Sequence, residues 1–116
     1  MSQLALLVDD VVTQLFPLNQ PTLTIGRAAE CDIRIDDVSV STEHAIVRVS
    51  PSKYLDGHEE IIIEDLQSKN GTLVNEKPVH RCQLQPNDVV TIGWNKFKLL
   101  DDRAAGRETT VLMMLD

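Results

Sequence analysis

The chain has 116 residues, enough for one domain, and carries 11 basic against 18 acidic side chains for a net charge of −7. That balance excludes the broad basic face of a general nucleic-acid binder. With 42% hydrophobic and 25% charged residues the chain can bury a core, which excludes disorder.

The apolar run at residues 4–8, which no other run exceeds in length, is too short to span a membrane. No basic region precedes it, and Asp9 and Asp10 close it, so it does not read as a signal peptide. Leu23 and Ile25 alternate with Thr22 and Thr24, and Ile33 and Ile35 alternate with Asp32, Arg34 and Asp36. Ala45, Val47 and Val49 share one face. Residues 61–63, 89–92 and 97–99 keep the same period of two. Such alternation predicts strands with one face in a core and the other in water. The turn dipeptides Asp9-Asp10 and Asn70-Gly71 separate these runs. So do Pro17, Pro21, Pro51, Pro78 and Pro86, with Gly57, Gly71 and Gly93. No capped 3.6-residue period precedes residue 100. The expectation is an all-β, two-sheet antiparallel β-sandwich over residues 1–100, with binding loops at one end.

Residues 101–116 read as a flexible tail. Its first half is polar, and the uncharged run 109–115 fits a last edge strand, a short helix or an exposed end. Cys31 and Cys82 are the only cysteines. Two do not make a disulfide framework, so the expected setting is the reducing cytoplasm, with both thiols as small core residues. His58, His80 and the cysteines lack the paired close spacings of structural zinc, so no metal is expected. Ser41, His44 and Asp32 lack the elbow and oriented base of a hydrolase, so no catalytic residue is assigned.

Three polar clusters lie at strand ends or between strands: Gly26-Arg27; Ser41-Thr42-Glu43-His44; and the stretch from Asp65 to Asn75. They supply an arginine fork, a lysine, hydroxyls and amides. A cationic centre ringed by neutral donors suits a small, doubly charged oxyanion and needs no cofactor.

The spacing adds a resemblance. Gly26-Arg27, Ser41-x-x-His44, Asp65-x-x-Ser68-Lys69-Asn70-Gly71-Thr72-x-Val74-Asn75 and Asn87-Asp88-x-Val90-x-Ile92-Gly93 together resemble a forkhead-associated (FHA) domain from about Leu23 to Leu100. The resemblance implies a non-enzymatic β-sandwich that recognises phosphothreonine peptides in Ser/Thr kinase signalling. It implies that Arg27 pairs with the phosphate, Ser41 donates its hydroxyl to it, and Asn70 holds the ligand main chain. His44 would brace the Ser41 loop, Gly26 and Gly71 would serve tight backbone geometry, and Asn75 would tie neighbouring loops. Thr42 and Lys69 flank these positions as further phosphate contacts. Thr42 departs from the family pattern, in which a basic residue often follows the serine. The implied partners are a phosphothreonine-containing protein or peptide and an upstream Ser/Thr kinase, with neither nucleic acid nor membrane. The alternative is an FHA-fold scaffold for an unphosphorylated partner. In the tail, Glu108-Thr109-Thr110 resembles an acidic kinase site. Phosphorylation of Thr109 or Thr110 would let one copy's tail dock into a neighbour's site.

Overall fold

The computed structural model describes residues 2–52 and 58–101. Short β-branched runs between turn residues form eleven strands there, with no helix. These are β1 (Ser2–Val8), β2 (Val11–Pro17), β3 (Thr22–Gly26), β4 (Ile33–Arg34), β5 (Ala45–Pro51) and β6 (Glu59–Asp65). They continue as β7 (Thr72–Val74), β8 (Lys77–Val79), β9 (Arg81–Leu84), β10 (Val89–Ile92) and β11 (Asn95–Asp101).

One sheet has the order β2-β1-β11-β10-β7-β8 and the other β4-β3-β5-β6-β9. All pairs are antiparallel except β3–β4, which is parallel. The alternating residues face each other between the sheets as expected. Leu4, Phe97, Leu99, Val90 and Ile92 come from one sheet, and Ile25, Val47, Ile61 and Ile63 from the other, all buried. Phe16 packs on Phe97 with ring centroids 6.0 Å apart.

The turns differ in part from expectation. Asp9-Asp10 is a tight hairpin turn with both residues at positive φ, 52° and 64°. Asn70-Gly71 is not such a turn. Its segment crosses from β6 in one sheet to β7 in the other. The hairpin that follows uses Asn75 and Glu76, at φ 51° and 70°. Pro17, Pro51 and Pro78 do not all separate strands either. The first two close β2 and β5, and Pro78 sits inside β8, an outer strand whose free edge needs no N–H donor. Ile35 is buried but lies just past the two-residue β4. Thr109 and Thr110 lie outside the described residues.

The antiparallel register separates the two ends of the sandwich. Gly26, Ala45, Asp65 and Asn95 gather at one end. At the other, Ser2 faces Asp101 across β1 and β11. The seven residues of β11 span about 20 Å between them.

Candidate functional site

Three connections meet at the first end: β3 to β4, β4 to β5, and β6 to β7. Ser41 joins them. Its carbonyl accepts the Arg27 N–H at 3.0 Å, its hydroxyl oxygen accepts the Lys69 N–H at 2.9 Å, and its own N–H donates to His44 Nδ1 at 3.0 Å. With its oxygen already accepting, the Ser41 hydroxyl proton is left for an outside acceptor.

Gly26 lets the first two connections close. The Ala28 N–H reaches the Thr42 carbonyl at 3.2 Å, and a Cβ on Gly26 would collide with that same oxygen and crowd Cys31 Sγ at 2.9 Å. Cys31 and Cys82 are both only partly buried, so neither is the core residue expected. Cys31 Sγ lies on the Thr42 carbonyl, because the loop needs a small group beneath it, and Cys82 packs at the margin of the core.

His44 is fully buried. Its Nε2 is 2.8 Å from the Gly71 carbonyl, while Nδ1 faces the Ser41 N–H. An amide N–H can only donate and a carbonyl only accept, so these partners select the Nε2–H tautomer. The ring thereby links the Ser41 loop to the Asn70-Gly71 crossing. It also rules His44 out as a base for Ser41, and Asp32 is turned away onto the Thr24 N–H at 2.9 Å.

Asp65 braces the same crossing from below. Its carboxylate accepts the hydroxyls of Ser68 and Thr72, the latter at 2.7 Å, and the Ser68 N–H at 3.1 Å. The Ser68 oxygen in turn accepts the Gly71 N–H at 3.0 Å. Burial alone would raise the Asp65 carboxyl. The hydroxyls of Ser68 and Thr72, then the Ser68 amide, outweigh it and hold the group below the usual carboxylate range. A pKa lowered on folding stabilises the native state above the unfolded value and is lost as pH falls through the folded one. Melting temperature should therefore fall as pH drops below about 4, and Asp65→Asn should flatten that fall. Identical pH profiles for the two proteins would refute this role.

A second brace was not anticipated from the sequence. The buried Ser39 donates its hydroxyl and N–H to Asp37 Oδ1 at 3.0 and 2.9 Å. Its oxygen accepts the Trp94 N–H at 3.1 Å, and its carbonyl accepts Asn70 Nδ2 at 2.8 Å. Asn95 Nδ2 adds a bond to Asp37 Oδ2 at 3.3 Å. The Ser39 N–H and hydroxyl, with Asn95, hold the Asp37 carboxyl below its ordinary range despite partial desolvation. Gly93, at φ 62°, leaves room for Ser39, where a Cβ would strike its Oγ. The signals in the sequence were the Asp37-x-Ser39 spacing of an Asx turn and a glycine directly after a strand.

Asn75 ties two turns: its Nδ2 donates to Asp88 Oδ1 at 3.0 Å, and its Oδ1 accepts the Val89 N–H at 3.0 Å. It lies away from the depression. Arg27, Ser41, Thr42, Lys69 and Asn70 do line one shallow depression of about 340 Å³ with Val38, Ser39 and Val40. Arg27 and Lys69 are exposed, and neither side chain forms an ion pair or hydrogen bond with a described residue. A larger depression of about 570 Å³ lies at the opposite end, lined by Leu18, Pro21, Val49, His58 and Asp101 among others. Its described lining residues include no arginine or lysine, and it borders the undescribed residues 53–57. The chemistry for an anion therefore sits at the smaller one.

The FHA domain family profile matches residues 23–93, more than half of the chain. This chain belongs to the FHA domain family. It is 44% identical over 85 residues to an oxoglutarate dehydrogenase inhibitor of Corynebacterium efficiens, covering 73% of this chain and 54% of that protein. It is also 44% identical over 85 residues to the glycogen accumulation regulator GarA of Mycolicibacterium smegmatis, covering 73% and 48%. The chain thus spans about half the length of these relatives. Among solved structures, an FHA domain studied for phosphothreonine-dependent interactions superposes with a TM-score of 0.72 at 31% identity, covering 86% of this chain and 95% of that one. The FhaA FHA domain, solved in complex with the intracellular domain of Rv3910, superposes with a TM-score of 0.71 at 31% identity, covering 85% and 99%. Among the described residues, no helix is long and apolar enough to cross a membrane.

Proposed function

We propose that this FHA domain is a non-catalytic recognition module that binds phosphothreonine segments of partner proteins after a Ser/Thr kinase has acted. The observation that carries the reading is an unpaired guanidinium, Arg27, beside the Ser41 hydroxyl whose proton is free. Phosphorylation gives a threonine about −1.5 to −2 charges and three acceptor oxygens. Arg27 pairs with that group, Ser41 donates to it, and Lys69 and Thr42 supply charge and a hydroxyl at the rim. Asn70 is anchored through Nδ2 to Ser39, which leaves its oxygen for a ligand main-chain N–H. An unmodified threonine offers one neutral hydroxyl in place of that charge and its three oxygens, so binding follows one covalent event. The net charge of −7 repels other polyanions and leaves the local positive potential at the site.

The names of the relatives, an inhibitor and a regulator, support action by occupying a partner rather than by catalysis. A second reading, a scaffold for an unphosphorylated partner, draws on Val38 and Trp94, which are 81% and 79% exposed at the same end. Titration of one peptide with and without phosphate on its threonine separates the two. The phosphorylated form alone should bind with measurable heat. Equal binding of both forms would sink the phosphate-dependent reading.

A further inference from the structure

Among the described residues the two sheets leave four outer strands: β2, β8, β4 and β9. Such edges invite pairing with another strand unless they are short, charged or interrupted by proline. Three of them are protected. β4 has two residues, β8 has three and includes Lys77 and Pro78, and β9 has four and begins with Arg81. β2 is different. It has seven residues, no charge and no proline before its last position, and its one irregularity is a register shift at Thr13, opposite Leu6 and Leu7. Six of its residues are exposed, and Val11, Val12 and Leu15 are among the few large apolar side chains left in water.

We propose that the chain's own residues 109–115 add to this edge as a further strand, antiparallel to β2. The run Thr-Thr-Val-Leu-Met-Met-Leu is uncharged, lies between Glu108 and Asp116, and matches β2 in length. Position favours it. β11 delivers the chain at Asp101, opposite Ser2, and Gln3 is paired with Pro17 at the end of β2. β11 runs parallel to β2, because both are antiparallel to β1. A segment that turns back after Asp101 therefore runs antiparallel to β2. To pass β1 and β2 the connection covers three strand spacings, about 14 Å, and residues 102–108 reach about 23 Å when extended.

A second copy competes less well for the same edge. Two β2 strands would meet over seven residues a side, against about 20 or more in a stable interface. A tethered segment instead faces its edge at millimolar effective concentration. The added strand would satisfy the outward amides and carbonyls of β2 and cover Leu15 and Val12 with alternate side chains of the run.

The test is amide hydrogen exchange of β2 by NMR in three unphosphorylated proteins: the full chain, a chain ended after Glu108, and the full chain with Leu112→Pro. In the full chain the β2 amides that point away from β1 should exchange about tenfold or more slowly than in either variant. All three should keep the same near-ultraviolet signature of Trp94, because the sandwich does not depend on the tail. Equal β2 exchange in all three proteins overturns the proposal. So does protection that survives truncation and rises with protein concentration, which would assign the edge to a second copy. Neither outcome touches phosphopeptide binding, which is read at the loops around Arg27.

Discussion

Arg27→Ala is expected to weaken phosphothreonine-peptide binding by tenfold or more without moving the melting temperature. The guanidinium leaves the β3 end with no partner among the described residues, so its removal breaks nothing inside the protein. A charge-assisted hydrogen bond is worth roughly 1.5–3 kcal/mol, and about 1.4 kcal/mol is tenfold in affinity. One lost bond suffices for the predicted effect, and a bidentate contact makes it larger. Lys69→Ala, at the exposed rim, should cost less. Calorimetric titration of the folded variants checks both, and an unchanged affinity for Arg27→Ala would remove that residue from the site.

His44→Ala should do what Arg27→Ala does not, and lower stability and affinity together. The imidazole is fully buried and satisfies the Ser41 N–H and the Gly71 carbonyl at once. Leaving two such groups unpaired costs about 1–3 kcal/mol each, and a cavity adds to it. For a domain of this size that corresponds to a fall of about 10 °C or more in melting temperature. Affinity falls with it because the Ser41 loop and the Asn70-Gly71 crossing lose their common anchor. A variant that melts like the wild type would show that the ring does not brace the loops.

The two residues also show what the sequence made legible. The period of two exposed β3, β5, β6, β10 and β11, because one face of each packs in the core. It could not show β2, whose apolar residues are mostly exposed on an outer edge and follow no alternation. Asn70-Gly71 reads only as a turn dipeptide by composition. The chain uses Gly71 at φ 81° in a sheet-to-sheet crossing instead, and gives the hairpin to Asn75-Glu76. Which glycine-bearing turn is a hairpin depends on strand pairing, and local sequence does not hold that information. At the site, the spacing of Arg27, Ser41, Thr42, Lys69 and Asn70 brought forward residues that do line one depression. The support beneath them was less visible. Asp37, Ser39 and Asn95 are 2 and 58 positions apart by bonded pair, and only the fold brings β10–β11 against the loop before Ser41. Ser41 serves both as a candidate ligand contact and as a backbone tether. Its oxygen and its proton allow both at once.

The pairing of Ser2 with Asp101 has a consequence for how such a domain is carried. Residues opposite each other on neighbouring antiparallel strands lie about 5 Å apart, so β1 begins and β11 ends at a single doorway. That doorway is about 20 Å from the loops around Arg27. A host protein could therefore carry the unit like a bulb in a socket, spliced into a surface turn with hardly any strain on the host backbone. Strung in series, successive units would each present their loops outward from the cord that joins them.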